Sequence, residues 1–221
     1  GAVTWVDGSS GRVSNYAANG NTNVVSSVNS LVGTRNNDRV GSTMSYLTSY
    51  DSTAGVNELT GNYVVRSSLW NNGSATTAGA VTWGGGSTGV AGVIDSSNSI
   101  LGQKTADTVG GTFLALSNGN YVVANKAADV DGVINAGAVA LVNGGTGRLS
   151  DYAARGNQNI LGSANSMVGS HTDDKVGTSL SASATVANSP RDLAHPGYFI
   201  ASIAWNCLAG AVTFVDNASN P

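Results

Sequence analysis

Short sequence motifs recur in a fixed order along this chain, and their spacing alternates between long and short. GAVTW at Gly1 returns as GAVTW at Gly79, as GAVAL at Gly137 and as GAVTF at Gly210. These starting points are separated by 78, 58 and 73 residues. Self-similarity at such a period is typical of repeat proteins, in which each unit packs mainly on its neighbours.

The repeats predict the organisation of the chain into units. NSLVG at Asn29 returns as NSILG at Asn98 and NSMVG at Asn165, and GNYVV occurs at Gly61 and Gly119. The predicted units are a long unit at 1–78, a short unit at 79–136, a long unit at 137–209 and the start of a further unit at 210–221. The chain opens at Gly1 without an initiator methionine, and we interpret it as a piece of a longer protein.

Each unit offers four short β-type segments, of which NYVVRSSLW, AVTW, NSILG and DTVGGTFLAL are examples. Val, Ile, Tyr, Trp and Thr dominate them, turns rich in Gly, Asn, Ser and Asp separate them, and helical periodicity is absent. The predicted fold is therefore all-β, with repeated four-stranded antiparallel units arranged like the blades of a β-propeller. A β-solenoid and a three-sided β-prism are the alternatives. Val64, Val65, Val122 and Val123 are predicted on inner strands, buried.

Composition excludes several function classes. Charged residues make up 10% of the chain, the net charge is −3, and Lys and Arg form no cluster. A nucleic-acid-binding surface needs a basic stripe, so nucleic acid is not an expected partner. No stretch approaches 18 apolar residues, and insertion into a membrane is not expected. Cys207, the single cysteine, lies in an apolar segment and is expected to be buried. Most of the four tryptophans are expected in the core or in the packing between units.

The motifs carry a family resemblance. LSNGNYVV, AGAVTWGGGSTGV, NSILG and DTVGG resemble the NGNYVV/GAVTW repeats of very large secreted and surface proteins of bacteria, the filamentous-haemagglutinin-like adhesins. The resemblance implies a secreted or surface-displayed protein with an adhesive role. More distantly, the unit is similar to the FG-GAP blades of integrin-α propellers, whose loops bind calcium.

Calcium and other cofactors are not expected here. Calcium prefers six to eight oxygen ligands that include carboxylates. The loops that match the FG-GAP pattern read LTGNYVV and LSNGNYVV and contain no acidic residue. DVDG, which begins at Asp129, follows the strand and is interpreted as a surface turn.

The sequence predicts no enzyme. His171 and His195 are 24 residues apart, both absent from the short unit, and no nucleophile motif lies between a strand and a helix. Aspartate recurs before VG in every unit, and a carboxylate that caps a turn by accepting backbone N–H bonds explains this better than catalysis does. These aspartates are Asp38, Asp107 and Asp174.

Two matching insertions are the candidate sites. RVSNYAANGNTNV at 12–24 returns as RLSDYAARGNQNI at 148–160, and the short unit lacks the segment. Tyr with Asn, Ser and Gly is typical of recognition loops, and a ring beside amide groups suits a sugar. The residues predicted to bind ligand are Tyr16, Asn19, Asn21, Asp151, Tyr152, Arg155 and Asn157. The alternative is a spacer that packs on a neighbouring unit.

Two functions are therefore expected to compete. The first is an adhesin or glycan-binding module that contacts a glycan or a cell-surface ligand through these insertions. The second is a structural building block of an extracellular assembly, in which loops make subunit contacts. Self-association or contact with flanking repeats is expected in either case, because the GAVTF strand at Gly210 has no partner elements of its own.

Overall fold

The computed structural model describes residues 1–51, 54, 56–182 and 197–215, and His195 lies outside them. Within these ranges the chain is all-β apart from one short helix. Its elements are β1 (Ala2–Thr4), β2 (Ser30–Val32), β3 (Thr43–Asp51), β4 (Val56–Ser67), β5 (Ala80–Gly84), β6 (Gly92–Val93), β7 (Ser99–Leu101), β8 (Thr112–Ala115), β9 (Tyr121–Asn125), β10 (Ala138–Val142), β11 (Met167–Val168), β12 (Ser179–Ala182), β13 (Tyr198–Ser202), α1 (Trp205–Leu208) and β14 (Ala211–Val215).

The strands form four sheets, which we number along the chain. The first sheet is β1-β2-β6, the second β3-β4-β5-β7, the third β8-β9-β10-β11 and the fourth β12-β13-β14. The expectation that the GAVTF strand has no partner is wrong, because β14 pairs with β13. The second and third sheets are four-stranded and antiparallel throughout. The one parallel pairing among the described strands is β2 with β6. Four-stranded antiparallel units are therefore confirmed, and the parallel coils of a β-solenoid do not occur in the described residues.

Each complete sheet takes strands from two consecutive sequence units. β3 and β4 end the first long unit, whereas β5 and β7 belong to the short unit. The third sheet crosses the boundary at Gly137 in the same way, with β8 and β9 before it and β10 and β11 after it. The physical unit is thus displaced from the unit defined by the GAV motif, so neighbouring sequence units share backbone hydrogen bonds as well as side-chain contacts.

Successive side chains of the NYVV strands point to opposite faces of the second and third sheets, which we call the inner sheets, and both faces are buried. Tyr63 and Val65 belong to the apolar cluster shared with the first sheet, whereas Val64 belongs to the cluster shared with the third. In β9 the same alternation directs Val123 to the second sheet and Val122 to the fourth. All four valines are fully buried, as predicted. Successive sheets therefore pack face to face, and each layer of core lies between two of them.

The tryptophan of the GAVTW motif joins the first sheet to the second and the second sheet to the third. The indole N–H of Trp5 donates to the carbonyl of Gly86 at 2.9 Å, and that of Trp83 donates to the carbonyl of Gly144 at 2.7 Å. Both indoles pack on the glycine-rich turn that follows the third strand of the next sheet. A Cβ on Gly147 would lie 2.2 Å from Cβ of Trp83, so only glycine allows this approach.

The recurring aspartates cap turns, as predicted. Oδ2 of Asp38 accepts the backbone N–H groups of Thr34 and Arg35, both at 2.8 Å. Oδ2 of Asp107 and of Asp174 accepts the N–H groups of the residues four and three positions before it in the same way. All three carboxylates are buried, because each closes the loop that leads into the first strand of a sheet.

The expectation that Cys207 is buried is wrong. Cys207 is exposed, as are the neighbouring Trp205 and Leu208. The chain turns through α1 directly after β13, with positive φ values of 49°, 59° and 72° at Asn206, Cys207 and Leu208. This turn directs the apolar side chains away from the sheet. For the tryptophans the expectation is confirmed for Trp70, which is buried, and for Trp5 and Trp83, which are partly buried.

Candidate functional site

Each of the two insertions follows a strand of the GAV motif, and the two are built alike. The first connects β1 to β2, and the second connects β10 to β11. In each, an arginine guanidinium lies over a tyrosine ring: Arg12 over Tyr16 at 4.6 Å and Arg148 over Tyr152 at 4.4 Å. A cation over an aromatic face is a favourable contact that fixes both side chains. The insertions are therefore defined local structures.

Asparagines close the base of each insertion. Oδ1 of Asn159 accepts the backbone N–H of Leu149 at 3.1 Å, and Oδ1 of Asn23 accepts that of Val13 at 3.2 Å. Their side-chain amides donate to the carbonyls of Gly147 and Gly11. A single amide thus ties the two ends of each insertion together.

The asparagine of the NS motif also holds the insertions. Nδ2 of Asn165 donates to Oδ1 of Asp151 at 2.6 Å, and Nδ2 of Asn29 donates to Oδ1 of Asn15 at 2.6 Å. In the short unit the matching Asn98 keeps only its local bonds, to Val93 and to its own loop. The motif therefore has one role in every unit and a second role where an insertion is present.

The second insertion packs on the sheet before it. Tyr152 is 7% exposed, and its hydroxyl donates to the carbonyl of Ser97 at 3.1 Å. The backbone N–H of Asn159 donates to the carbonyl of Ser96 at 2.9 Å. Ser96 and Ser97 lie in the loop that leads into β7, in the unit without an insertion. The second insertion therefore fills space that the short unit leaves open.

The first insertion is more exposed. Tyr16 is half-buried, and Asn19 and Asn21 are exposed. Nδ2 of Asn19 donates to Oγ1 of Thr22 at 2.9 Å, so part of its hydrogen-bonding capacity is used within the loop. Asn21 adopts a positive φ of 61°, which asparagine tolerates better than most residues.

The remaining predicted ligand-binding residues lie on the second insertion. Asp151 and Arg155 are half-buried and form an ion pair across four residues of the insertion. Burial raises the pKa of Asp151, but hydrogen bonds from Asn165 and Arg155 together with the Arg155 charge lower it further, and the net pKa lies below its ordinary value. Asn157 is exposed, with φ of 63°. The structure thus divides the predicted set: Tyr152 is withdrawn from solvent, whereas Tyr16, Asn19, Asn21 and Asn157 remain accessible.

A cleft beside the second insertion is a further candidate that the sequence did not indicate. Its volume is about 500 Å³, within the range typical of small-ligand pockets. Its lining includes Asn120, Asn143, Arg148, Ser150 and Asn165. Asn120 and Asn165 belong to recurring motifs, so the sequence did not show that they lie near Asn143 in the same cleft.

Metal and membrane sites are not evident in the described part of the chain. It contains no group of three or more His, Cys, Asp or Glu residues placed to hold a metal ion. No helix within it is both long and apolar enough to cross a bilayer. The amide oxygens of Asn62 and Asn120, in the calcium-type loops, accept the backbone N–H groups of Gly86 and Gly144.

Comparison with protein-family models assigns the repeats. Residues 1–42, 59–111 and 115–178 match a family described as a repeat of unknown function (DUF5650). The chain belongs to this repeat family. The matched segments include both insertions and most strands of the second and third sheets, but they leave out β3, the start of β4 and most of β8. No curated protein matches the chain significantly.

Proposed function

We propose that this member of the repeat family is a non-enzymatic structural module, secreted or displayed at a cell surface, that serves as a building block of an extracellular assembly. The observation that carries the proposal is the burial of Tyr152 against the loop of Ser97. A recognition loop keeps its aromatic side chains accessible, whereas a spacer uses them to fix one unit on the next. The second insertion has the second property.

The repeated polar residues support the same proposal. The motif asparagines and aspartates direct their side chains to backbone groups, as Asn62 does to Gly86 and Asp174 does to Ser170. A catalytic or binding group needs a free functional atom that faces solvent or a pocket. These recurring side chains are used to hold turns in place, which suits a rigid scaffold.

The sheets are further proposed to follow one another as propeller-like blades. Each complete sheet is an antiparallel meander of four strands in chain order, and both faces of the second and third sheets are buried by neighbours. These features agree with blades. A propeller of ordinary size has four or more complete blades, so closure would require further units.

Two matched variants test the structural role. Tyr152→Ala removes a buried ring and should lower the free energy of unfolding by about 3 kcal/mol. Tyr16→Ala removes the equivalent half-buried ring and should cost less. Both are measured by urea unfolding, with binding to a glycan array measured in parallel. A Tyr152→Ala chain that keeps full stability and loses glycan binding would overturn the structural assignment.

Glycan binding, as in an adhesin, is the second candidate, and the cleft beside the second insertion favours it. Amide groups of Asn143 and Asn120 and the cation of Arg148 line a space large enough for a small sugar. The exposed tip of the first insertion, with Tyr16 and Asn21, presents similar chemistry.

Blocking the cleft tests this second candidate. Ser150 lines the cleft and is exposed, so Ser150→Phe should obstruct it without disturbing the core. Ser14→Phe is the matched control at the equivalent place in the first insertion. If the cleft binds sugar, Ser150→Phe alone reduces the glycan-array signal. An unchanged glycan-array signal with Ser150→Phe would exclude the cleft as the sugar-binding site. If the unmodified chain gives no signal, glycan binding itself is excluded.

A further inference from the structure

The outer face of the fourth sheet carries apolar side chains whose counterparts are buried in the other sheets. Val212 lies at the place of Val81 and Val139 in the GAV motif, and it is 74% exposed whereas Val139 is 3% exposed. Phe199 follows Tyr198 as Val64 follows Tyr63, and it too is exposed whereas Val64 is fully buried. In the inner sheets these positions are covered by the next sheet along the chain.

Phe214 lies at the position of the tryptophan that joins one sheet to the next. GAVTF ends at Phe214 as GAVTW ends at Trp5 and Trp83, but Phe214 is 51% exposed. Its ring packs on that of Phe199, with centroids 5.0 Å apart, and the pair forms an aromatic surface on the outside of the sheet. Trp5 and Trp83, in contrast, contact a glycine-rich turn of the following sheet.

The first sheet carries the complementary surface without an occupant. Its glycine-rich turn at residues 6–11 matches the turns that hold Trp5 and Trp83. A Cβ on Gly11 would meet no atom within 4 Å, whereas a Cβ on the equivalent Gly89 would lie 2.3 Å from Trp5. Beside it, Val6 is 47% exposed, although the equivalent Val142 is fully buried.

The first insertion continues this uncovered surface. Val24 and Val25 are exposed, whereas the equivalent Ile160 and Leu161 are partly buried. Tyr16 is likewise more accessible than Tyr152, which the preceding sheet covers. Equivalent residues thus differ in exposure because the third sheet has a sheet before it and the first sheet has none in this structure.

We propose that the two surfaces bind each other between two copies of this chain, so that Phe214 of one copy contacts the Gly11 turn of the next. This head-to-tail contact rests on the proposed structural function and supplies its partner. Both complementary surfaces occur on one chain, and the packing of the second sheet on the third is the template for the contact. An apolar surface at one end and its matching turn at the other make a heterologous interface, which joins copies in series.

The chemistry of the contact is apolar. Phenylalanine has no indole N–H, so the hydrogen bond that Trp83 donates to Gly144 has no equivalent at Phe214. Burial of the two phenylalanine rings and of Val212 replaces water with side-chain contacts, which is the main source of association energy in such interfaces.

Two variants separate the contributing surfaces. Phe214→Ser removes the central ring of the outer face. Gly11→Asn keeps the positive φ of 66°, which asparagine tolerates, and places a side chain where the incoming ring would lie. In the free chain Gly11 has open space, so the folded monomer should accept this change. Ile134→Ser removes an exposed apolar side chain from a different surface and is the control.

Sedimentation velocity over a concentration series gives the result. The unmodified chain and Ile134→Ser should associate in series, and each of the other variants should weaken association by about tenfold or more. A mixture of Phe214→Ser with Gly11→Asn should form one-to-one dimers and nothing larger, because only one functional pair of surfaces remains. Thermal unfolding of each variant verifies that it folds.

Two outcomes would overturn the proposal: a chain that remains monomeric at its highest soluble concentration, or variants that associate like the unmodified chain. Neither outcome depends on the effect of Tyr152→Ala on stability. A stable monomer in which Tyr152→Ala is destabilising would retain the structural module and refute only this contact.

Discussion

The side-chain amide of Asn71 donates a hydrogen bond to Oδ1 of the buried Asp38 at 2.8 Å. At the equivalent place after β13, the backbone N–H of Asn206 donates to Oδ1 of Asp174 at 2.9 Å. In the third sheet the corresponding residue is Asp129, again eight residues after the tyrosine that begins the NYVV strand. The second and fourth sheets therefore have an N–H donor from an asparagine at this place, whereas the third sheet has a second carboxylate, that of Asp129.

Asp107 is left with a buried oxygen as a result. Its Oδ1 has no hydrogen-bond partner among the described residues, although its Oδ2 caps a turn as in the other units. Asp129 turns instead to Lys104 and to the backbone N–H of Asn135. A buried oxygen without a donor costs free energy, so this sheet is a weak point of the repeat.

Asp129→Asn should therefore stabilise the chain. Because Asn71 donates its side-chain amide to Asp38 at the equivalent place, we expect the new amide to donate to Asp107. A hydrogen bond to a charged group contributes about 1.5–3 kcal/mol. The partly exposed ion pair with Lys104 is lost, at about 0–1 kcal/mol. We expect a net gain of about 1 kcal/mol in the free energy of unfolding, measured with urea. Asp131→Asn, in the same turn, should change it by less than about 0.5 kcal/mol. A less stable Asp129→Asn chain would contradict this explanation of Asp107.

Removing the amide at the base of the second insertion should be costly. Asn159 is buried, and Asn159→Ala leaves the N–H of Leu149 and the carbonyl of Gly147 without their partner. We expect a loss of about 2 kcal/mol in the free energy of unfolding. Asn23→Ala breaks the same bonds in the first insertion, where water replaces them, and should cost clearly less. Equal losses would show that the preceding sheet does not influence the second insertion.

Acid should destabilise the fold. Burial raises the pKa of Asp174, but backbone hydrogen bonds from Asn206, His171 and Ser170 and the proximity of His171 lower it further, and its net pKa is below the ordinary value. A depressed pKa contributes stability above the unfolded-state pKa of about 3.9, and that stability is lost as the pH falls through the folded-state value. Melting temperatures measured from neutral pH downwards should therefore hold until about pH 4 and then drop. The Asp174→Asn chain should have a lower melting temperature at neutral pH and a smaller decrease in acid. A melting temperature that decreases with pH as steeply as that of the unmodified chain would exclude a contribution from Asp174.

Chelation should leave stability unchanged. Carboxylates are absent from the loops of Asn62 and Asn120, and the amide oxygens there accept backbone N–H groups. Neither EDTA nor added calcium should therefore shift the melting temperature. A drop of many degrees on chelation would reveal a structural metal and contradict this expectation.

Much of the fold follows from local sequence. Alternation in NYVV predicts strands with two buried faces, and aspartate before VG predicts a turn cap, because both depend on residues within a few positions of each other. The recurrence of Arg12 and Tyr16 as Arg148 and Tyr152 likewise indicates that the insertions are equivalent parts. The sequence also contains the glycine-rich turns, but their role as contact points for Trp5 and Trp83 involves partners about 60 to 80 residues away.

Tertiary structure alone decided the remaining features. Local sequence is nearly the same around Tyr16 and Tyr152, yet only Tyr152 has a sheet before it, so only Tyr152 is buried. Cys207 looks apolar in sequence, but a turn of positive φ directs it to solvent. In the short unit, which lacks the insertion, the loop at Ser96 and Ser97 is the surface on which the next insertion packs. The burial of a side chain depends on the residues that pack against it, and these are distant in sequence, so a local motif does not predict it.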